Sequence, residues 1–125
     1  MSSAKYEHLI REFPGEAPAI GRLTTFLDTS REKGAFNSNF SVNRFLELAK
    51  PSSYANLVKI LEKLVEDEIL DEIYRIEFDS LGGIEELESL DQVPEEIHDW
   101  RRDIMVRVLP ENVHLYYKLH RAHRQ

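Results

Sequence analysis

Ser52, Ser53, Tyr54, Asn56, Lys59 and Lys63 are the side chains best suited to recognition chemistry, and all fall within PSSYANLVKILEKLVEDEILDEIYRIEF, residues 51–78. Hydroxyl, carboxamide and ammonium groups hydrogen-bond phosphate oxygens and the edges of bases. A helix that begins at such residues adds unpaired N–H groups and a local field that favours an anion. Arg44 and Lys50, just upstream, can add contacts to a phosphate backbone, each steepening the salt dependence of binding. The plainer reading of the same residues is a solvated helix face with ordinary capping.

Catalytic chemistry has less to work with. Glu66, Asp67, Glu68, Asp71 and Glu72 form a charge run, whereas general acid–base work needs an enclosed pocket that shifts a pKa. Gly82-Gly83 reads as a turn, with no Gly-Lys-Ser/Thr near it to make a phosphate loop. His120 and His123 stand three residues apart, but no carboxylate or thiolate completes a ligand set. The chain has no cysteine, so it has no disulfide and no thiol nucleophile. These residues predict a protein that is not an enzyme and uses no cofactor and no metal.

The elements that must position the recognition residues follow from periodicity. Leu57, Ile60, Leu61, Leu64 and Val65 recur at helical spacing, behind a cap at Ser52 or Ser53. Ser53, Asn56, Lys59, Glu62, Lys63 and Glu66 then face outward. From Asp71 the period falls to two, and Tyr74, Ile76 and Phe78 alternate with Arg75 and Glu77 as in a half-buried strand. Upstream, Tyr6, Leu9, Ile10 and Phe13 mark a first helix closed by Pro14-Gly15, and a second runs from Pro18 to Gly34. Ser41 caps a third, Val42–Ala49, which Pro51 ends. Residues 104–109 and 113–119 alternate about Pro110-Glu111-Asn112 and predict a C-terminal hairpin joined to the first strand. The segment 80–103 holds regularly spaced Ile84, Leu87, Leu90, Val93, Ile97 and Trp100. It predicts an ordered insertion with a short helix PEEIHDW, pinned to the core by Trp100.

A helix SVNRFLELA (41–49), a short connection, a helix SSYANLVKILEKLVEDEIL (52–70) and a strand DEIYRIEF (71–78) together resemble the winged helix-turn-helix superfamily. That resemblance implies one α+β domain over residues 1–125. N-terminal helices occupy 1–34, the helix-turn-helix and first wing strand 41–79, an ordered acidic insertion in the wing 80–103, and a C-terminal hairpin 104–119, with a small three-stranded antiparallel sheet. It also implies duplex DNA as partner, read by the helix at 52–66 through Ser52, Ser53, Tyr54, Asn56, Lys59 and Lys63, with Arg44 and Lys50 on the backbone. The chain departs from the pattern where a basic wing tip belongs, since about 24 acid-rich residues stand there.

Charge bears on the choice of partner. Residues 64–99 carry fourteen Asp/Glu against Arg75 alone, while residues 1–63 and 100–125 are mildly basic. Beyond a Debye length of about 8 Å an acidic segment is largely screened, so it opposes nucleic acid only if it folds beside the reading helix. The competing expectation is a protein–protein adaptor that uses Ile84, Leu87, Val93, Ile97 and Trp100 of the insertion. Either module is expected to act as a homodimer or inside a larger complex, because a single winged helix offers little contact surface. No apolar run approaches the roughly 18 residues of a membrane span, and MSSAKYEHLIREF has no apolar leader. A regulatory, cytoplasmic protein with no membrane partner is the expectation.

Overall fold

The computed structural model describes residues 6–78 and 82–121, with the backbone only for 82–84. The fold is α+β: helices α1 (Glu7–Glu12), α2 (Ala17–Glu32), α3 (Val42–Ala49) and α4 (Tyr54–Glu66), and strands β1 (Phe40–Ser41), β2 (Leu70–Phe78), β3 (Gly82–Leu87), β4 (Glu96–Asp99), β5 (Ile104–Arg107) and β6 (Val113–Leu119). Two compact units share the chain, one formed by Met1–Asp71 with Tyr117–Gln125 and the other by Glu72–Tyr116.

The helical unit is organised by its caps. Ser41 Oγ accepts from the Arg44 N–H at 3.1 Å to start α3, and Ser53 Oγ accepts from the Asn56 N–H at 3.1 Å to start α4. Lys50 takes a left-handed backbone at φ 51°, which turns the chain between the two helices ahead of Pro51. Arg22 of α2 donates to the Ala49 carbonyl at 2.9 Å, satisfying an orphan acceptor at the end of α3. Leu57, Ile60, Leu61 and Leu64 of α4 are buried together with Leu9, Ile20, Leu23, Leu27 and Phe45. Phe45 lies 6.0 Å from Tyr117 and 5.7 Å from Phe40, ring to ring. Phe36 is held between two cations, Arg31 at 5.7 Å and Arg121 at 5.0 Å from its centroid.

One sheet has four strands in the order β1-β6-β2-β3, not three, and β4 with β5 forms a separate two-stranded sheet. The expected hairpin of 104–109 with 113–119 is therefore corrected. β5 pairs antiparallel with β4, from Glu96↔Arg107 to Asp99↔Ile104, while β6 lies between β1 and β2. Gly82 and Gly83 begin β3 rather than only breaking a strand, and the β2–β3 register shifts between Ile76 and Glu77. The expected helix PEEIHDW is instead strand β4, in which Ile97 and Asp99 are buried.

Candidate functional site

The start of α4, where an external anion was expected, holds an internal one. Glu16, in the 3-10 turn Pro14–Glu16, is only 4% exposed. Its Oε1 accepts from the Ser52 N–H at 3.0 Å, and its Oε2 accepts from Asn56 Nδ2 at 2.7 Å and from the Ser52 hydroxyl. These bonds, led by the one from the Ser52 hydroxyl, hold the Glu16 carboxyl below its ordinary pKa despite burial. A carboxylate at a helix N-terminus is what the dipole favours. Two of the eight residues expected to meet nucleic acid, Ser52 and Asn56, thus direct side-chain donors to the protein's own carboxylate.

The remaining six lie on α3, on α4 and in the connection between them. Ser53, Tyr54 and Lys59 are exposed on α4, as are Arg44 on α3 and Lys50 after it. Arg44 lies over the rings of Phe26 and Phe40, at 5.4 and 5.9 Å. Lys63 is half-buried between Glu12 at 3.8 Å and Glu66 at 3.5 Å, and Glu12 is the main reason its ammonium is held above its ordinary pKa. With Glu62 and Glu66 exposed beside Lys59 and Lys63, the outward face of α4 carries no net positive charge.

The second unit is built differently. Among the described residues only Ile76 and Ile97 of Glu72–Tyr116 are buried hydrophobics, whereas Leu90, Trp100, Ile104, Met105 and Leu109 are exposed. Trp100 is 82% exposed at the β4–β5 tip, so it is not the core anchor that its spacing suggested. The tip is nonetheless firmly built. Asp99, 2% exposed, accepts from the Arg101 N–H at 3.0 Å and from Arg102 Nε at 2.6 Å, and its carbonyl accepts from the Asp103 N–H at 2.7 Å. The Arg102 bond, set against desolvation, holds the Asp99 carboxyl below its usual range. Asp103 closes the turn at φ 55°, and His98 stands edge-on to Trp100 at 4.3 Å.

At the other end of this hairpin an apolar cavity of about 360 Å³ is lined by Tyr74, Leu90, Val93, Val108, Leu109, Pro110, Val113 and Leu115. Burial raises the Tyr74 phenol above its ordinary pKa, with Glu72 adding to it. The opposite face of the β2–β6 strands is polar. Arg75 reaches Glu77 at 3.5 Å and Glu86 at 3.7 Å, and Tyr116 donates to Glu77 at 3.1 Å.

Of the five residues expected to bind protein, Trp100 is exposed, Val93 lines the cavity, Leu87 is half-buried and Ile97 is core. The side chain of Ile84 lies outside the described residues, as does His123. The cavity went unread in the sequence because its lining comes from β2, β6 and the segments flanking β4 and β5, which look like ordinary strand and loop hydrophobics. Among the described residues no three His, Asp or Glu side chains converge in a way that could hold a metal ion. Among the described residues no helix is long and apolar enough to cross a membrane. No protein-family model matches the chain, and neither a curated protein nor a solved structure matches it.

Proposed function

We propose that this chain is a non-enzymatic winged-helix interaction module whose working surface is the β4–β5 hairpin and its base, and whose partner is protein. The winged-helix assignment is supported by the succession α3, a four-residue connection, α4 and β2, with β6 beside β2 as the return strand. The observation that carries the protein reading is Trp100, exposed on a braced tip with Arg101, Ile104 and Met105 about it. Trp, Arg and Met are the residue types that concentrate in binding hot spots and interface cores, and a pre-ordered tip loses little freedom on docking.

Duplex DNA is the second reading, favoured by the exposure of Ser53, Tyr54, Lys59, Arg44 and Lys50. It ranks lower because Glu16 already fills the anion position at α4 and acidic neighbours offset the lysines. A photo-crosslinking side chain at Met105, beside Trp100, separates the two readings. Discrete protein adducts are expected in cells, and the same probe at exposed Glu32 should give none of them. Absence of any Met105 protein adduct, together with low-salt binding of mixed-sequence duplex that Lys59→Glu/Lys63→Glu abolishes, would replace the protein reading with the DNA one.

A further inference from the structure

We infer that the partner for this surface is a second copy of the chain, held by reciprocal insertion of Trp100 into the apolar cavity at the base of the other copy's hairpin. The inference rests on the protein-binding reading above and names its occupant.

Strand β5 is the starting point. It has β4 on one side and, among the described residues, no strand on the other. Ile104, 46% exposed, and Met105, 57% exposed, stand on opposite faces of this edge strand. An apolar strand edge of this kind is a template for pairing with another chain. A two-stranded sheet is also marginal by itself and gains most from a further strand. Among its described residues Glu72–Tyr116 buries only Ile76 and Ile97 as hydrophobics, so docking would add apolar burial to the unit.

The ends of the hairpin complement each other. Trp100 is a projecting apolar side chain at the tip. The cavity lies at the base, lined by Leu90 and Val93 ahead of β4 and by Val108 and Leu109 directly after β5. When two hairpins pair antiparallel through β5, the tip of each meets the base of the other, about four residues or roughly 13 Å along the strand. One two-fold axis therefore satisfies both tips and both cavities, which closes the assembly at two copies. A cavity of about 360 Å³ lies within the range that takes a compact apolar group.

Charge favours the same pairing. Glu72–Tyr116 holds twelve Asp/Glu and four Lys/Arg, and two of those four, Arg101 and Arg102, sit at the tip. Away from the tip the unit is acidic, with Asp91 and Glu111 exposed beside the cavity residues Leu90 and Pro110. The tip itself is balanced, Arg101 and Arg102 against Asp99 and Asp103, with Arg102 paired to Asp99 at 2.6 Å. An antiparallel pair therefore brings a neutral tip with an exposed Arg101, rather than a second acidic segment, to each acidic base.

Because Trp100 is the only tryptophan, its fluorescence reports the contact directly. Sedimentation velocity on the wild type is expected to show a monomer–dimer equilibrium, with Trp emission moving to shorter wavelength as the dimer forms. Trp100→Ala removes the knob and Val113→Phe fills the hole. Each should weaken dimerisation by roughly thirtyfold or more, the effect of losing a buried Trp hot spot, while circular dichroism stays native. Mixing then decides the matter. The Trp100→Ala chain has no tryptophan but keeps its cavity, so titrating it into Val113→Phe should shift the latter's Trp emission to shorter wavelength. A wild type that stays monomeric with water-like emission up to high concentration would overturn the inference. So would a dimer that both variants leave intact, or a native mixture that shows no shift. If a Met105 adduct then contains a different protein, the second-copy inference falls while the interaction module stands.

Discussion

Glu16 shows how one side chain redirects the chemistry of a helix end. The Ser52 N–H and hydroxyl and the Asn56 carboxamide would all be available to a phosphate if residue 16 were apolar. With Glu16 in place, they close a part-buried network within the protein. Glu16→Ala removes the shared acceptor of exposed Ser52 and half-buried Asn56, whose donors water can then reach, and should cost about 1 kcal/mol in chemical unfolding. The pH dependence has a definite sign. The folded carboxyl titrates below its ordinary value of 4.5, so the deprotonated form is the one that folding favours. Its contribution is complete above pH 4.5 and is lost as pH falls through the lowered folded value. Glu16→Gln should therefore remove part of the acid-induced loss of stability while lowering stability at neutral pH. An acid titration unchanged by Glu16→Gln would mean that the carboxylate is not what secures this end of α4. Sequence could supply Ser52 and Asn56 but not their partner, which lies 36 and 40 residues away. Nothing in local spacing signals a contact of that range.

Elements were legible where one signal dominated. Ser41 and Pro51 bracket α3, and the leucine stripe of α4 gives way at Asp71 to the alternation of β2, so caps and period agree on both boundaries. Each capping serine can be tested alone, and Ser53→Ala should cost about 1 kcal/mol, read by urea unfolding. Elements were misread where two signals competed. PEEIHDW has a proline suited to a first helical turn and apolar residues three apart, yet Ile97 and Asp99 also alternate with His98 and Trp100. Four residues cannot distinguish those periods, and pairing with β5 settled the outcome. Residues 104–107 have turn-forming sequences on both sides, Asp99–Asp103 and Pro110–Asn112. The first closes the hairpin because Asp99 gathers the Arg101 N–H and Arg102, while Asn112 Oδ1 instead caps a 3-10 turn by accepting from Leu109 N–H at 2.9 Å. Asp99→Ala should therefore loosen the tip selectively. Hydrogen exchange of the Asp103 amide is expected to speed up by roughly tenfold or more, the scale of a lost charged hydrogen bond. The amides of α4 should exchange unchanged, and an unaltered Asp103 rate would mean that the turn is held by something other than Asp99.

At the scale of the whole molecule, the two readings differ in the sign of their response to salt. The chain carries a net charge of −7 at pH 7. Two copies brought together repel at long range, and at about 0.01 M salt the Debye length of roughly 30 Å lets most of those charges act across the interface. At about 0.15 M it falls to roughly 8 Å, which screens the distant like charges more than any close contact of Arg101 at the tip with an acidic neighbour. The apolar part, Trp100 in its cavity and β5 against β5, does not weaken with salt. Self-association should therefore strengthen between those two concentrations. Duplex DNA binding through Lys59, Arg44 and Lys50 would weaken over the same interval, because each neutralised phosphate releases counterions that added salt opposes. Sedimentation velocity and a duplex-binding titration across one salt series measure the two slopes on the same protein. Self-association that falls as salt rises would show that charge rather than apolar docking holds the pair, and would shift the interface from Trp100 and β5 to the charged residues.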